Sequence, residues 1–235
     1  MDKDVNIDKV IRQYSQMEDF FSGGFTPRGE KSMEAETIKS PDVEKQLAKI
    51  AAEVEKCCKC PLNRTRTNPV PGEGNPNARL VFVGEAPGAE EDKQGRPFIG
   101  RAGKLLDDIL KAMNLTRQDV YICNILKCRP PDNRDPKPDE IVKCLPFLNA
   151  QLKLINPEII VTLGAHAART LLDTKQAIGK LRGVFHEYYT DEDSPPIKLM
   201  PTYHPAYLLR NYSIDNRKKV WEDMKKVVAE LEIEG

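Results

Sequence analysis

Residues 80–103 read LVFVGEAPGAEEDKQGRPFIGRAG. The four apolar residues from Leu80 to Val83 make a run of the length of a buried strand. The run stops at Gly84 and opens into Glu85, Ala86, Pro87 and Gly88. Acidic Glu90, Glu91 and Asp92 follow, then Gly95, Pro97, Gly100 and Gly103. From Lys104 onward, Leu105, Leu106, Ile109, Leu110 and Met113 recur at helical spacing. A strand that feeds a long punctuated loop and then a helix is how open α/β sheets build sites at the carboxyl ends of their strands. At about 20 residues this loop is longer than a plain connection needs, so it is expected to carry function.

Outward from this stretch the α/β rhythm continues. Val120–Ile125 and Ile159–Leu163 read as strands, Pro138–Ile155 and Ala165–Leu172 as helices. Val184–Tyr189 and Lys198–Met200 are further strand candidates around a turn at 191–196, and Asp215–Leu231 is a closing helix. Ahead of the opening stretch, Val43, Leu47, Ile50, Ala51 and Val54 mark a helix over Asp42–Lys56. Strands alternating with helices imply a parallel sheet covered on both faces. The expected fold class is α/β, a three-layer α/β/α domain around a short, mostly parallel central sheet. Residues 46–235 form that domain, with no repeat of fixed period.

Residues 1–45 read differently. Gly23, Gly24, Pro27, Gly29, Ser40 and Pro41 interrupt them, so a linker-like or partly disordered extension is expected. Within it, Tyr14, Met17, Phe20 and Phe21 fall on one face of a helical turn with an extended end. This resembles the sliding-clamp-binding box of replication and repair proteins, with Tyr14 where that box has its leading Gln; an amphipathic turn packing on its own domain is the preferred reading.

Composition is that of a globular chain: 235 residues, 40% hydrophobic and 31% charged. No apolar run reaches a membrane span, and the start Met1-Asp2-Lys3-Asp4 lacks the apolar centre of a signal peptide. A soluble, cytoplasmic monomer is expected. The zero net charge hides an asymmetry: residues 1–56 carry nine Lys/Arg against twelve Asp/Glu, and the remainder 27 against 24. The positive charge gathers near loops, at Arg64 and Arg66, at Lys93, Arg96 and Arg101, and at Lys127, Arg129, Arg134 and Arg210. Such a distribution fits a polyanion partner, but on charge alone ordinary solvated charge is the preferred reading.

Six cysteines in a chain of this kind point to metal or redox chemistry more than to disulfides. Cys57 and Cys60 form a C-x2-C pair, and fifteen residues separate Cys128 from Cys144. Four such thiolates can surround one centre, and both zinc and a four-iron cluster accept them. Cys58 and Cys123 remain as spares, the latter a small hydrophobe within a strand.

Three loops follow strand-like runs and should gather at one sheet edge: 84–88, 124–134 and 202–210. The segments GEAPGAEEDKQGRPFIGRAG (84–103), NILKCRPPDNRDP (124–136) and YHPAYLLR (203–210) resemble the family 4 uracil-DNA glycosylases, the iron–sulfur branch of that superfamily. The cysteine spacings agree with that family's cluster ligands. The likeness runs from about Cys57 to Glu230 and leaves residues 1–45 uncovered.

The resemblance implies an enzyme that flips deoxyuridine out of DNA and hydrolyses its N-glycosidic bond, releasing uracil and leaving an abasic site for base-excision repair. It implies a [4Fe-4S] cluster on Cys57, Cys60, Cys128 and Cys144, structural and without a redox step. Glu85 takes the position that orients water and offsets positive charge on the sugar, and His204 the position that donates to the uracil oxygen gaining charge. Asn124 reads the base edge and Phe98 stacks on the ring. The backbone of Gly84, Ala86, Pro87 and Gly88 completes the pocket, Pro87 without an N–H. Leu208, with Leu209 as the neighbouring alternative, is the wedge that fills the gap in the stack, and Arg210, Arg129 and Arg134 contact phosphates.

The best-known branch of the superfamily has an aspartate where this chain has Ala86, which leaves water handling to Glu85. It also has a bulky aromatic where this chain has Gly88, so Glu91 is expected to exclude the thymine methyl. His166 and His186 read as structural. No lysine stands where Schiff-base chemistry would need one, so the enzyme is expected to be monofunctional. Competing readings are a glycosylase of broader base specificity, a non-catalytic iron–sulfur DNA-binding module associated with a polymerase, and a zinc-stapled nucleotide hydrolase. The last lacks a phosphate-gripping Gly-Lys-Ser/Thr loop.

Overall fold

The structure, a computed structural model, describes residues 41–192 and 194–231. The clamp-like segment Tyr14–Phe21 lies outside the described residues. Helix α1 (Pro41–Glu55) begins within the stretch expected to be linker. It is followed by β1 (Glu73–Gly74), β2 (Leu80–Gly84), α2 (Ala89–Gln94), α3 (Arg101–Ala112) and β3 (Tyr121–Asn124). Then come α4 (Pro138–Ile155), β4 (Ile159–Leu163), α5 (Ala165–Leu171), α6 (Ile178–Leu181) and β5 (His186–Tyr188). The described chain closes with β6 (Ile197–Thr202), α7 (Pro205–Arg210) and α8 (Ile214–Glu230).

The strands form one six-stranded sheet in the order β1-β3-β2-β4-β6-β5. The inner four are parallel, and the edge strands β1 and β5 pair antiparallel. The α/β/α expectation is therefore borne out. Inner strands are buried on both faces, which is why they read as continuous apolar runs without alternation. The two-residue period reappears in the packing. Val81, Val83, Tyr121, Cys123 and Ile160 point to a layer with α1 and α4, meeting Leu47, Val54, Phe147, Leu148 and Leu152. Leu80, Phe82, Ile122, Ile159 and Val161 point the other way, to Leu105, Leu106 and Ile109 of α3 and to Val220, Met224 and Val227 of α8.

Register then positions the site. Gly84 pairs with Asn124 and Leu163 with Thr202, so these strands end level with one another. The chain leaves β2 through Glu85, ends β3 on Asn124, leaves β4 toward His166 and leaves β6 toward His204. All four exits lie on the carboxyl edge, where open parallel sheets bind ligands. Two of these exits are tied together by the backbone: the amide of Ile125 donates to the carbonyl of Gly84 at 2.9 Å, and that of Leu126 to the carbonyl of Glu85 at 3.0 Å.

Four elements escaped the sequence reading: β1, helix α2 within the loop 84–103, helix α6, and helix α7 after His204. At two to six residues, none is long enough to set a period of its own.

Candidate active site and cysteine centre

At the end of β2 the chain needs a residue without a side chain. A β-carbon on Gly84 would overlap Oδ1 of Asn124 and lie 2.6 Å from Cζ of Phe98. Glycine thus lets the amide and the ring meet. Phe98 itself has a φ of 51°, a left-handed conformation that is unusual for a bulky residue. Arg117 holds it there, donating to the carbonyl of Pro97 at 3.0 Å and to that of Phe98. The guanidinium is anchored in turn by Asp107 at 2.6 Å and Glu73 at 2.9 Å. A β-carbon on Gly103 would collide with the Phe98 carbonyl, so the start of α3 is also shaped around this residue.

The Phe98 ring is 5% exposed and stands 5.6 Å from the His204 ring, tilted by 30°. Asn124 is 1% exposed, and its Oδ1 has no hydrogen-bond partner among the described residues. Buried polar atoms are nearly always bonded, so an orphaned acceptor beside the Phe98 ring calls for a ligand's N–H.

His204 is the N-cap of α7. Its Nδ1 accepts from the amide of Ala206 at 3.0 Å. Burial, with Arg210 nearby, pushes its pKa down to about 4, so the ring is neutral near pH 7. Since Nδ1 accepts, the single ring proton sits on Nε2, and the imidazole is a neutral donor.

The Glu85 carboxyl is partly buried, and burial raises its pKa above the ordinary range. Its surroundings contain Asp135, which sequence reasoning passed over, and His166, which it read as structural. Ligand atoms of Glu85, Asp135 and His166 all lie within 4.8 Å of one another. His166 Nε2 is 3.5 Å from Asp135 Oδ2.

The acidic residues of α2 separate into three roles. Glu90 pairs with Lys93 in solvent at 2.9 Å. Asp92, 4% exposed, accepts from the amide of Thr67 at 2.9 Å. Glu91 accepts from the amides of Ile99 and Gly100, both at 3.1 Å, and its Oε2 would be 2.7 Å from a β-carbon on Gly88. Its carboxylate therefore fills the space that a side chain at position 88 would take.

The outer residues need two corrections. Leu208 is 2% exposed and belongs to the core layer beside α3 and α8, so as placed it has no free side chain to insert into DNA. Leu209, at 40% exposure, points outward. Arg134 is committed to buried Glu140 through two bonds of 2.6 and 2.9 Å, a fork that secures the start of α4. Its guanidinium is thus part of the scaffold, not a free phosphate ligand. Arg129 donates to Asn133 Oδ1 at 2.8 Å, and Arg210 is exposed.

On the α1/α4 side, Cys57, Cys60, Cys128, Cys144, Val54 and Phe147 line a hollow of about 300 Å³, counted to its open mouth. Donors point at its sulfurs: Arg66 to Cys128 Sγ at 3.0 Å and the Lys127 amide to Cys144 Sγ at 3.2 Å. Burial pushes the Cys144 thiol up to about 11 and raises Cys128 as well, so a metal centre binding here must displace protons. Cys58 is exposed and Cys123 is buried in β3. Between hollow and pocket runs the side chain of Lys127, 1% exposed, whose Nζ donates to the Asn124 carbonyl at 2.9 Å and to Gln151 Oε1 at 2.6 Å.

Among the described residues, no helix is long and apolar enough to cross a membrane. The family model of the uracil DNA glycosylase superfamily matches residues 71–225. The chain is 50% identical over 192 residues to the type-4 uracil-DNA glycosylase of Thermotoga maritima, covering 81% of this chain and 97% of that protein. It is 48% identical to the type-4 enzyme of Sulfurisphaera tokodaii, covering 77% and 83%. The same identity holds for the type-4 enzyme of Saccharolobus solfataricus, covering 77% and 85%. With the orphaned asparagine, the neutral histidine and four cysteines around one hollow, these likenesses place the chain in the uracil-DNA glycosylase superfamily, among its type-4 members.

Proposed function

We propose that this protein is a monofunctional uracil-DNA glycosylase whose pocket is built from Glu85, Phe98, Asn124 and His204. The observation that carries the reading is the unpaired, buried Oδ1 of Asn124 beside Phe98, whose ring stands 5.6 Å from that of His204. Uracil offers an N3–H to that acceptor, whereas cytosine has an unprotonated N3 there and leaves the acceptor unsatisfied, a costly mismatch. Phe98 stacks on the flipped base. Glu91, against Gly88, fills the space next to the ring where thymine carries its methyl.

As the C1′–N1 bond breaks, its electron pair goes to the base and positive charge develops on the sugar. The neutral His204 donates from Nε2 to the uracil oxygen that gains charge, and needs no proton loss to do so. Glu85 faces the sugar as a carboxylate, offsets the oxocarbenium charge and accepts a proton from the water whose oxygen attacks C1′. The products are free uracil and an abasic site. Leu209 supplies the wedge, and Arg210 and Arg129 approach phosphates. A pocket with reading, leaving-group and water groups together argues against a non-catalytic module.

The cysteine hollow fits a [4Fe-4S] cluster held by Cys57, Cys60, Cys128 and Cys144. Tetrahedral zinc would draw its sulfurs to about 3.8 Å apart. No three of these sulfurs lie within 4.8 Å of one another. Such a cluster supplies a covalent cross-link between α1 and the loop that carries Asn124. The enzyme acts in the cytoplasm on nucleoid DNA as a monomer, and the Tyr14–Phe21 segment is a clamp-docking candidate on its sequence alone. The test of base reading is single-turnover excision from uracil- and cytosine-containing duplexes by wild type and Asn124→Ala. Wild type should release uracil alone and the variant should lose most of that rate; cytosine release by wild type would refute the reading.

A further inference from the structure

Three separate strand exits bring Glu85, Asp135 and His166 together. Glu85 follows β2, Asp135 lies in the loop after β3, and His166 is in the first turn of α5 after β4. Their ligand atoms are mutually within 4.8 Å. The His166 side chain is 36% exposed and that of Asp135 80%, with Nε2 and Oδ2 3.5 Å apart. Neither residue has a part in base reading or leaving-group stabilisation.

Glu85 has a problem that this pair addresses. It acts as a carboxylate, yet its burial favours the neutral acid. The charged groups facing it are His166, Asp135 and Arg210. His166 and Arg210 favour the ionised form, and Asp135 opposes it. Arg210 is exposed on α7 and would be shared with DNA phosphates when substrate is bound. That leaves His166 as the cation-forming group dedicated to Glu85, with Asp135 Oδ2 placed 3.5 Å from its Nε2 to orient the ring.

We propose that His166 and Asp135 are positioning residues for Glu85: the His166 ring, when protonated, places a cation beside the catalytic carboxylate, and Asp135 orients that ring. This rests on the role given to Glu85 above. The sign follows directly. Without the imidazolium, Glu85 keeps its burial and the repulsion from Asp135, so it takes up a proton at higher pH. Once His166 is gone, Asp135 can only repel, so removing it as well moves Glu85 back toward lower pH.

The experiment is the pH profile of single-turnover uracil excision, at saturating enzyme and in the presence of a metal chelator. Wild type, His166→Gln, His166→Lys, the double variant His166→Gln/Asp135→Asn and Glu85→Gln are compared. The acidic limb of His166→Gln should move to higher pH, costing several-fold in rate near about pH 5 and little near about pH 8. His166→Lys, which keeps a cation, should retain the wild-type limb, and the double variant should fall between. A His166→Gln limb that superimposes on wild type overturns the proposal, as does a His166→Lys limb displaced equally. A shift seen only without chelator also overturns it, by assigning the three side chains to a bound cation. Glu85→Gln separates the two layers: if it keeps the wild-type rate, the role of Glu85 itself is wrong. If it is inactive while the His166→Gln limb stays put, this proposal alone fails.

Discussion

Oδ1 of Asn124 occupies the space where Gly84 would carry a side chain, and the tip of Phe98 shares it, 2.6 Å from the same absent β-carbon. The pairing of β2 with β3 sets this contact, because Gly84 and Asn124 are register partners. Gly84 therefore sets how Asn124 and Phe98, the proposed base reader and stacking ring, meet.

Gly84→Ala tests that relationship. The added methyl must push Asn124 or Phe98 aside, and a displacement of about 1 Å at a reacting geometry costs about 10²-fold in rate. Single-turnover excision should drop by that order. A variant of wild-type rate would mean that the two side chains are not the base-contacting pair.

Glu91 both fills the space beside Gly88 and pins the backbone of Ile99 and Gly100. Glu91→Ala should admit thymine opposite guanine and also slow uracil excision, because the Phe98 loop loses two charge-assisted bonds. Glu91→Gln, which keeps most of the volume, should still reject thymine. Unchanged discrimination in Glu91→Ala would assign methyl exclusion elsewhere.

Leu208 and Leu209 are adjacent and should behave oppositely. Leu208→Ala empties a core position and should cost about 2–5 kcal/mol in denaturant unfolding. Leu209→Ala should leave stability within about 0.5 kcal/mol yet slow excision from duplex DNA more than from single strands. The reverse assignment of the two effects would return the wedge to Leu208.

His204 should leave a signature in stability against pH. Its pKa is depressed to about 4 in the fold, whereas an unfolded chain has a histidine near about 6.5. Between these values the unfolded state binds the extra proton, so stability is present above the upper value and is lost as pH falls toward the lower. The difference in thermal midpoint between wild type and His204→Gln should therefore change across that window and be flat above it. A difference that does not vary with pH would mean that the histidine is not held neutral.

How legible the chain was differs by residue, and for physical reasons. Inner strands such as Leu80–Val83 and Ile159–Leu163 announce themselves because burial on both faces makes them uninterrupted apolar runs. Helix α2 did not, because Ala89–Gln94 has no apolar stripe and is held by side-chain bonds from Glu91 and Asp92. The choice of Leu208 over Leu209 depends on rotation about a six-residue helix, which two adjacent leucines leave undetermined. The Arg134–Glu140 fork spans only six residues, and the turn between them decides whether it closes. Arg117, 19 residues from Phe98, and the Glu85–Asp135–His166 cluster are set by tertiary packing and strand order, so no local pattern marks them.

The central claim is that Glu85 drives hydrolysis in a pocket that selects uracil. Its most direct test is release of free uracil from a uracil-containing oligonucleotide by wild type and Glu85→Gln under single-turnover conditions, with folding checked by thermal unfolding. Wild type should release uracil, and the variant should be slower by about 10²-fold or more while equally folded. A folded Glu85→Gln protein that releases uracil at the wild-type rate would contradict the account.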